Sequence, residues 1–300
     1  MAIRVDGLRR PFGDRVRDYV ALTKPRIIVL LEVTTLFAMI MAARGWPSWG
    51  LMAATLAGGW LAAAGANTIN CWFDRDIDGT MSRTRSRPLP SGRVEPLRAL
   101  LFGAGLTAGA FAVLAGFVNV LAAGLALAAG LFYILVYTMW LKRSSTQNIV
   151  IGGAAGAIPP MVGWAAVEGR LGLTALFLFA IIFYWTPPHF WALALVIEKD
   201  YARASVPMLP VVAGDRRTRR QILLFTVILT MVTIMPFLAH SFGIVYLAGA
   251  VALDAVLLWD AVVVLGDTGS RSARRLFYHS LLYLALLFAI MAVDRIMIAG

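Results

Sequence analysis

Apolar residues fall in long uninterrupted blocks along this chain, and polar residues collect in the gaps between them. Nine stretches are close to the roughly 20 apolar residues that a helix needs to cross a bilayer core. They lie at roughly 27–43, 49–71, 99–117, 120–139, 149–167, 172–195, 222–239, 242–265 and 276–298. The third and fourth are divided only around Phe117-Val118-Asn119. Within the fifth, the Gly152-x-x-x-Gly156 spacing suits close helix packing. The pattern predicts an all-α integral membrane protein with nine transmembrane helices.

Composition agrees and excludes other classes. Of 300 residues, 60% are hydrophobic and 14% charged, against about 45–50% and about 25% in soluble chains. Disorder needs low hydrophobicity, and a nucleic-acid binder carries its basic surface on a soluble body, so neither fits. Cys71 is the single cysteine, so no intrachain disulfide is available, and no Cys/His cluster has zinc spacing.

Charge sets the topology. The chain has 27 Lys+Arg against 16 Asp+Glu, a formal +11. Seven basic residues precede the first span, six follow span 2, two follow span 4, six follow span 6 and three follow span 8. Only Arg44, Arg170 and Arg295 fall on the opposite side. Positive loops stay cytoplasmic, so the N-terminus is expected inside and the C-terminus outside. Residues 1–26 lack the apolar run and cleavage site of a signal peptide, and read as a basic cytoplasmic segment ahead of one transmembrane domain, 27–300.

The chemistry begins where span 2 ends. Asn70, Asp74 and Asp78 are spaced i, i+4, i+8, which places them on one helical face. Two like charges there need compensation, and Mg²⁺ supplies it through carboxylate and amide oxygens plus substrate phosphates. Asp76 points off that face, toward supporting the metal-binding residues from behind or pairing with Arg75. Arg83 and Arg87, again four apart, have the forked geometry that grips phosphate oxygens. Carboxylates for metal followed by arginines for phosphate suggest a diphosphate bound through Mg²⁺. A solvated loop would simply pair its acids with its own arginines. These acids start inside an apolar helix, where ionisable groups are functional by default.

Asn70-x-x-x-Asp74-x-x-x-Asp78 with Met81-x-Arg83-Thr84-x-x-Arg87-Pro88-Leu89 resembles the first aspartate-rich motif of the UbiA superfamily of intramembrane prenyltransferases. Thr23-Lys24-Pro25-Arg26, Tyr137-Thr138-Met139-Trp140-Leu141-Lys142-Arg143, Pro187-Pro188-His189-Phe190-Trp191 and Asp200-Tyr201…Pro207-Met208-Leu209-Pro210 are similar to its haem-farnesylating branch. The resemblance covers about residues 19–298. It implies nine helices around a central cavity, in a multi-pass protein of the cell's inner membrane with its active site open to the cytoplasm. It implies transfer of farnesyl from farnesyl diphosphate to the 2-vinyl group of haem B, with addition of water, to give haem O. It further implies one or two Mg²⁺ ions on Asn70, Asp74, Asp78 and Asp200, and diphosphate contacts from Arg83, Arg87, Lys142, Arg143, Lys24 and Arg26. Haem B enters as substrate, and haem A synthase or terminal-oxidase assembly factors follow as partners.

One position departs from the superfamily pattern. A second D-x-x-x-D is common at the end of span 6, but here Asp200 is followed by Ala204, which leaves Asp200 as the carried-over ligand, with Glu198 as a helper. Among the other intramembrane polar residues, His189, Glu32, Asn67, Tyr137, Trp191 and Tyr201 are candidate substrate or haem contacts. Asp254 and Asp260 in span 8 must face the interior. Two rivals stay open at this point: an aromatic-acid prenyltransferase of quinone synthesis and an ion-coupled transporter.

Overall fold

The structure is a computed structural model that describes residues 11–267 and 269–299; Arg4, Arg9 and Arg10 of the basic leader lie outside the described residues. In chain order the helices are α1 (Phe12–Thr23), α2 (Pro25–Ala43), α3 (Trp49–Phe73), α4 (Arg75–Thr80), α5 (Pro96–Phe117) and α6 (Val120–Leu131). A π-helix (Phe132–Leu141) runs into α7 (Lys142–Ser144), followed by α8 (Asn148–Ala157) and α9 (Pro159–Glu168). The chain then forms α10 (Leu173–Val196), α11 (Glu198–Arg203), α12 (Leu209–Leu238), α13 (Ile244–Gly266) and α14 (Arg271–Ala299).

Among the described residues nine helical segments are long and apolar enough to cross a bilayer. They are α2, α3, α5, the unit Val120–Ser144, the pair Asn148–Glu168, α10, α12, α13 and α14. Proline and small polar residues set the breaks. Prolines open α2, α5 and α9 in the first turn, where the missing N–H costs nothing. The doubtful boundary between spans 3 and 4 is real: the Asn119 side chain accepts from Ala122 N at 2.8 Å and starts α6.

Two readings need correction. Span 7 begins thirteen residues earlier than its apolar run, at Leu209, with a non-helical Gly214 (φ 76°) inside it. The basic stretch Arg216–Arg220 is therefore helical. Buried Arg219 explains this, because it donates to the Val264 and Gly269 carbonyls at 3.0 and 2.9 Å and so ties this stretch to the C-terminal end of α13 and the turn after it. The Gly152/Gly156 pair is no packing motif either. A Cβ on Gly156 would meet nothing within 4 Å, whereas Gly152 abuts the Tyr137 ring and Gly153 abuts Thr186.

Helix α1 lies outside the spans and is not one of them. Phe12, Val16 and Val20, four apart, are exposed, while Leu22 and Asp18 are buried; Asp18 pairs with Arg93 at 2.9 Å. One face is thus apolar and open, as in helices that lie in a membrane interface. Its end turns into α2 through Lys24, in a left-handed conformation (φ 55°).

At the other end of the bundle, buried Asp294 of α14 accepts from Gly243 N at 2.6 Å and Tyr246 N at 3.0 Å, capping α13 from a neighbouring helix. Losing an N-cap costs about 0.5–2 kcal/mol. Asp294→Ala is expected to lower the thermal unfolding midpoint in detergent by that order; an unchanged midpoint would show that the cap carries no weight.

Candidate diphosphate and metal site

Helix α3 carries Asn67, Asn70 and Cys71 inward and stops at Phe73; Asp74 is its last-turn cap. Helix α4 starts at once, with Asp78 N bonding to Asp74 O at 2.7 Å. The expected single helix is therefore two helices joined at Asp74. Asn70, Asp74 and Asp78 are nevertheless all buried together at the membrane edge.

Each member has a defined partner. The Asn70 amide donates to Asp74 Oδ2 at 2.8 Å and to Thr138 Oγ1 at 2.9 Å, while its Oδ1 accepts from Lys24 Nζ at 2.6 Å. Asp74 Oδ2 also takes Lys142 Nζ at 2.5 Å. Arg143 comes no nearer than 3.9 Å to Asp74 Oδ1, an oxygen that is fully buried and makes no hydrogen bond. Asp78 pairs with Arg87 at 2.7 Å, and the Thr84 hydroxyl donates to its carbonyl at 2.9 Å. Lys24, Lys142 and Arg87 thus converge from three segments distant in sequence.

The π-helix explains how Lys142 arrives. Its wider turn carries Thr138 to Asn70, stacks Tyr133 on Tyr137 at 5.4 Å, and delivers Lys142 one residue past its end. A π-helix is rare and often marks a functional site; this one runs for ten residues, and a plain apolar run gives no sign of it.

Asp76 is corrected. It does not meet Arg75, whose guanidinium lies over Trp72 and donates to the Trp72 carbonyl at 2.6 Å. Instead Arg143 grips Asp76 in a fork, 2.8 Å to each oxygen, and donates to Phe73 O at 2.9 Å. That fork holds the Asp76 carboxyl down to about 2. Arg143 is therefore committed to the α3–α4 corner rather than to the pocket.

The second acidic end repeats the first in outline: α10 stops at Val196 and the short α11 follows. Asp200 accepts from the Ser82 hydroxyl at 2.7 and 2.8 Å, from Ser82 N at 3.3 Å and from Arg83 N at 3.4 Å, with Arg203 at 3.4 Å. These donors, the Ser82 hydroxyl foremost, hold its carboxyl below the usual range. Glu198 does not help it: burial and the facing Asp215 push the Glu198 carboxyl up.

The Arg83 side chain is exposed and forms no ion pair with a described residue. Tyr201, buried beside it, has its phenol pushed up by burial. Arg26 is exposed at the start of α2. Asn67 donates to Thr23 O at 3.0 Å, so it anchors the α1–α2 turn rather than the acids.

The remaining candidates scatter. Glu32 lines an apolar groove of about 460 Å³ between α2 and α3, with Val29, Leu36, Leu56 and Trp60, and its Oε2 has no partner. Trp191 is buried, edge-on to Phe225. His189, on α10, is buried against Phe277 and Ser280 of α14. Asp254 and Asp260 do face inward, toward Thr233 and Tyr283 and toward Arg275 and His279.

Among the described residues no group of three or more His, Cys, Asp or Glu side chains is gathered as a metal site. The first aspartate cluster still fits a hard divalent ion. Its donors are carboxylate and amide oxygens, and Asp74 Oδ1 is a buried oxygen left without a hydrogen bond. A buried acceptor of that kind costs about 1–3 kcal/mol unless something binds it.

The family model described as the UbiA prenyltransferase family matches residues 31–288. A protein from Gloeobacter violaceus named "Protoheme IX farnesyltransferase" is 53% identical over 282 residues, covering 94% of this chain and 92% of that protein. One of the same name from Roseiflexus castenholzii is 53% identical, covering 95% of this chain and 53% of its own length. The chain thus spans about half the length of several curated relatives it matches. Among solved structures, digeranylgeranylglyceryl phosphate synthase superposes with a TM-score of 0.77 at 18% identity, covering 95% of this chain and 99% of that one. A UbiA homologue from Archaeoglobus fulgidus bound to DMAPP and Mg²⁺ gives a TM-score of 0.65 at 17% identity, covering 92% and 99%. At these identities the structural likeness is one of fold.

Breaking a buried ion pair by removing one partner costs about 3–5 kcal/mol, because the other charge is left uncompensated. Lys142→Met is expected to destabilise the detergent-solubilised protein on that scale, and adding Asp74→Asn should recover most of the loss. If the double variant unfolds as early as the single one, the pair is not what holds this corner.

Proposed function

Because the chain belongs to the UbiA prenyltransferase family, we propose that it transfers the farnesyl group of farnesyl diphosphate to the 2-vinyl group of haem B, giving haem O and diphosphate. The observation that carries the reading is the buried line Asn70–Asp74–Asp78 at the membrane edge, met by Lys24, Lys142 and Arg87. Relatives at 51–53% identity that bear the protohaem farnesyltransferase name support the choice of acceptor.

The residues divide the work as follows. Arg83, unpaired and exposed, takes the diphosphate first. Lys142 and Arg87 exchange part of their contact with Asp74 and Asp78 for phosphate oxygens, so that cations already desolvated meet the anion. Lys24 approaches from the α1–α2 turn and Arg26 from the surface. Asn70, Asp74, Asp78 and, from the second half, Asp200 would hold Mg²⁺, which supplies Lewis-acid stabilisation of the leaving diphosphate. The allylic C–O bond breaks with its electron pair on the diphosphate. The vinyl terminus attacks the freed allylic carbon, water adds at the adjacent carbon, and one proton is released. Apolar walls keep water from quenching the allylic cation early, and the stacked Tyr133–Tyr137 pair lies beside Asn70's partner Thr138 with a π face to offer it.

Topology completes the reading: the N-terminus and this site face the cytoplasm, and the C-terminus the outside of the inner membrane. The haem O product is then available to haem A synthase or oxidase assembly factors. A cysteine placed at exposed Arg85 should react with an impermeant maleimide only in opened vesicles, and one at exposed Arg170 should react in intact cells; the reverse pattern would invert the topology.

Purified protein in lipid nanodiscs, given haem B, farnesyl diphosphate and Mg²⁺, is expected to yield haem O by mass spectrometry and to stop when the metal is chelated. Asp78→Asn should lower kcat about 100-fold or more, the scale of losing one preorganised electrostatic partner. Prenylation of an aromatic acid with haem B returned unchanged would overturn the assignment.

A further inference from the structure

His189 is the most constrained imidazole in the molecule, and its constraints leave one atom open. It is only 5% exposed. Trp185 stacks on it at 4.3 Å and 18°, and Phe277 at 4.5 Å and 23°. These contacts occupy the faces of the ring. Phe190 stands edge-on at 5.1 Å and 90°. What remains is chemistry in the ring plane.

Nδ1 lies 2.7 Å from Ser280 Oγ. The Ser280 hydroxyl proton is already spent, donated to Phe277 O at 2.8 Å. Ser280 Oγ can therefore only accept from the imidazole, so Nδ1 carries the proton. In a neutral imidazole the other nitrogen is then a bare acceptor. Trp185 Nε1 donates to Ser280 O at 2.8 Å, which fixes the serine from its backbone side as well.

Nε2 has no hydrogen-bond partner among the described residues, yet it is not among the buried nitrogens cut off from open space. A lone pair held in plane, in a fixed tautomer, with its faces covered and its far side tied to a hydroxyl, is how metal-ligating imidazoles are prepared. His189 lies seven residues before the end of α10 at Val196, about 10 Å along the axis at 1.5 Å per residue. The turn beyond carries Asp200. The lone pair is therefore set below the level of the diphosphate site, within the membrane.

We propose that His189 Nε2 is the protein's ligand to the iron of the haem substrate, and that Ser280 is a positioning residue that fixes its tautomer. The proposal rests on haem B as the acceptor, and it adds an anchor point for that substrate. Ser280, in α14, gave no sign of such a role in the sequence.

The test is optical and needs no turnover. Ferric haem b is titrated into the purified protein in nanodiscs, and the Soret and visible bands are followed. Wild-type protein should show a histidine-ligated spectrum. His189→Ala should lose it and recover it on adding free imidazole. Ser280→Ala should keep the spectrum but bind haem about 10–100-fold more weakly, as changes behind a ligating histidine do. In haem-free protein with ¹⁵N-labelled histidine, the His189 signals should show a single Nδ1–H tautomer in wild type and a mixture in Ser280→Ala; a purely structural serine would not move that ratio. If wild-type protein farnesylates haem while His189→Ala gives an unchanged haem spectrum, the ligand assignment is wrong and the reaction stands. If wild-type protein neither binds nor converts haem, the acceptor assignment falls and the ligand with it.

Discussion

Everything at the acidic end of the bundle depends on a carboxylate that has been taken out of water. Asp74 is 1% exposed at the joint of α3 and α4. A buried carboxylate survives only if paired and hydrogen-bonded. Lys142 supplies the pair and the Asn70 amide the hydrogen bond. To bring Lys142 there the fourth span must end at this height, and the π-helix sets its rotation so that Thr138 meets Asn70 from the same strip of backbone. To hold Asn70 in turn, Lys24 must come from the α1–α2 turn, which needs its left-handed conformation and Asn67's bond to Thr23. One desolvated charge thus recruits three separate segments.

The two acidic corners share a plan and differ in what their acids hold. Each is a long span ending in a break, followed by a six-residue helix. In the first, acids face cations that a diphosphate can take over. In the second, Asp200 is engaged by Ser82 and by backbone N–H groups of the first corner's loop. Asp200 therefore fixes Ser82 and Arg83 in place, and the Arg83 side chain is left exposed beside buried Tyr201. Ala204, where many superfamily members carry a further aspartate, ends α11 with nothing to coordinate. The asymmetry between the two corners is local and chemical.

The spans were legible because a bilayer imposes one length and composition rule on every segment. The acids were legible because carboxylates in an apolar helix have few structural excuses. What stayed hidden depended on contacts between distant segments. The i, i+4, i+8 spacing assumed a straight helix, whereas the chain breaks at Asp74, whose carboxylate is paired with Lys142, 68 residues away. Asp76 looked local to Arg75, but a guanidinium on a tryptophan face had a better position and Arg143 a better fork. Gly152 looked like half of a helix-packing motif, yet its space is filled by Tyr137, which no spacing rule reports.

The surplus of positive charge is also divided by burial. Arg85, Arg216 and Arg217 are exposed to solvent. Arg219, equally basic and two residues from Arg217, is 4% exposed and spends its donors on helix-end carbonyls. Lys24, Lys142 and Arg87 are partly or largely withdrawn from water and face the acid line. A cation that has already lost its water gives up little when an anion arrives, and repulsion among these three is held off meanwhile by Asp74, Asp78 and Asn70. The acids therefore serve the site before any ligand enters, by keeping three desolvated cations within reach of one another.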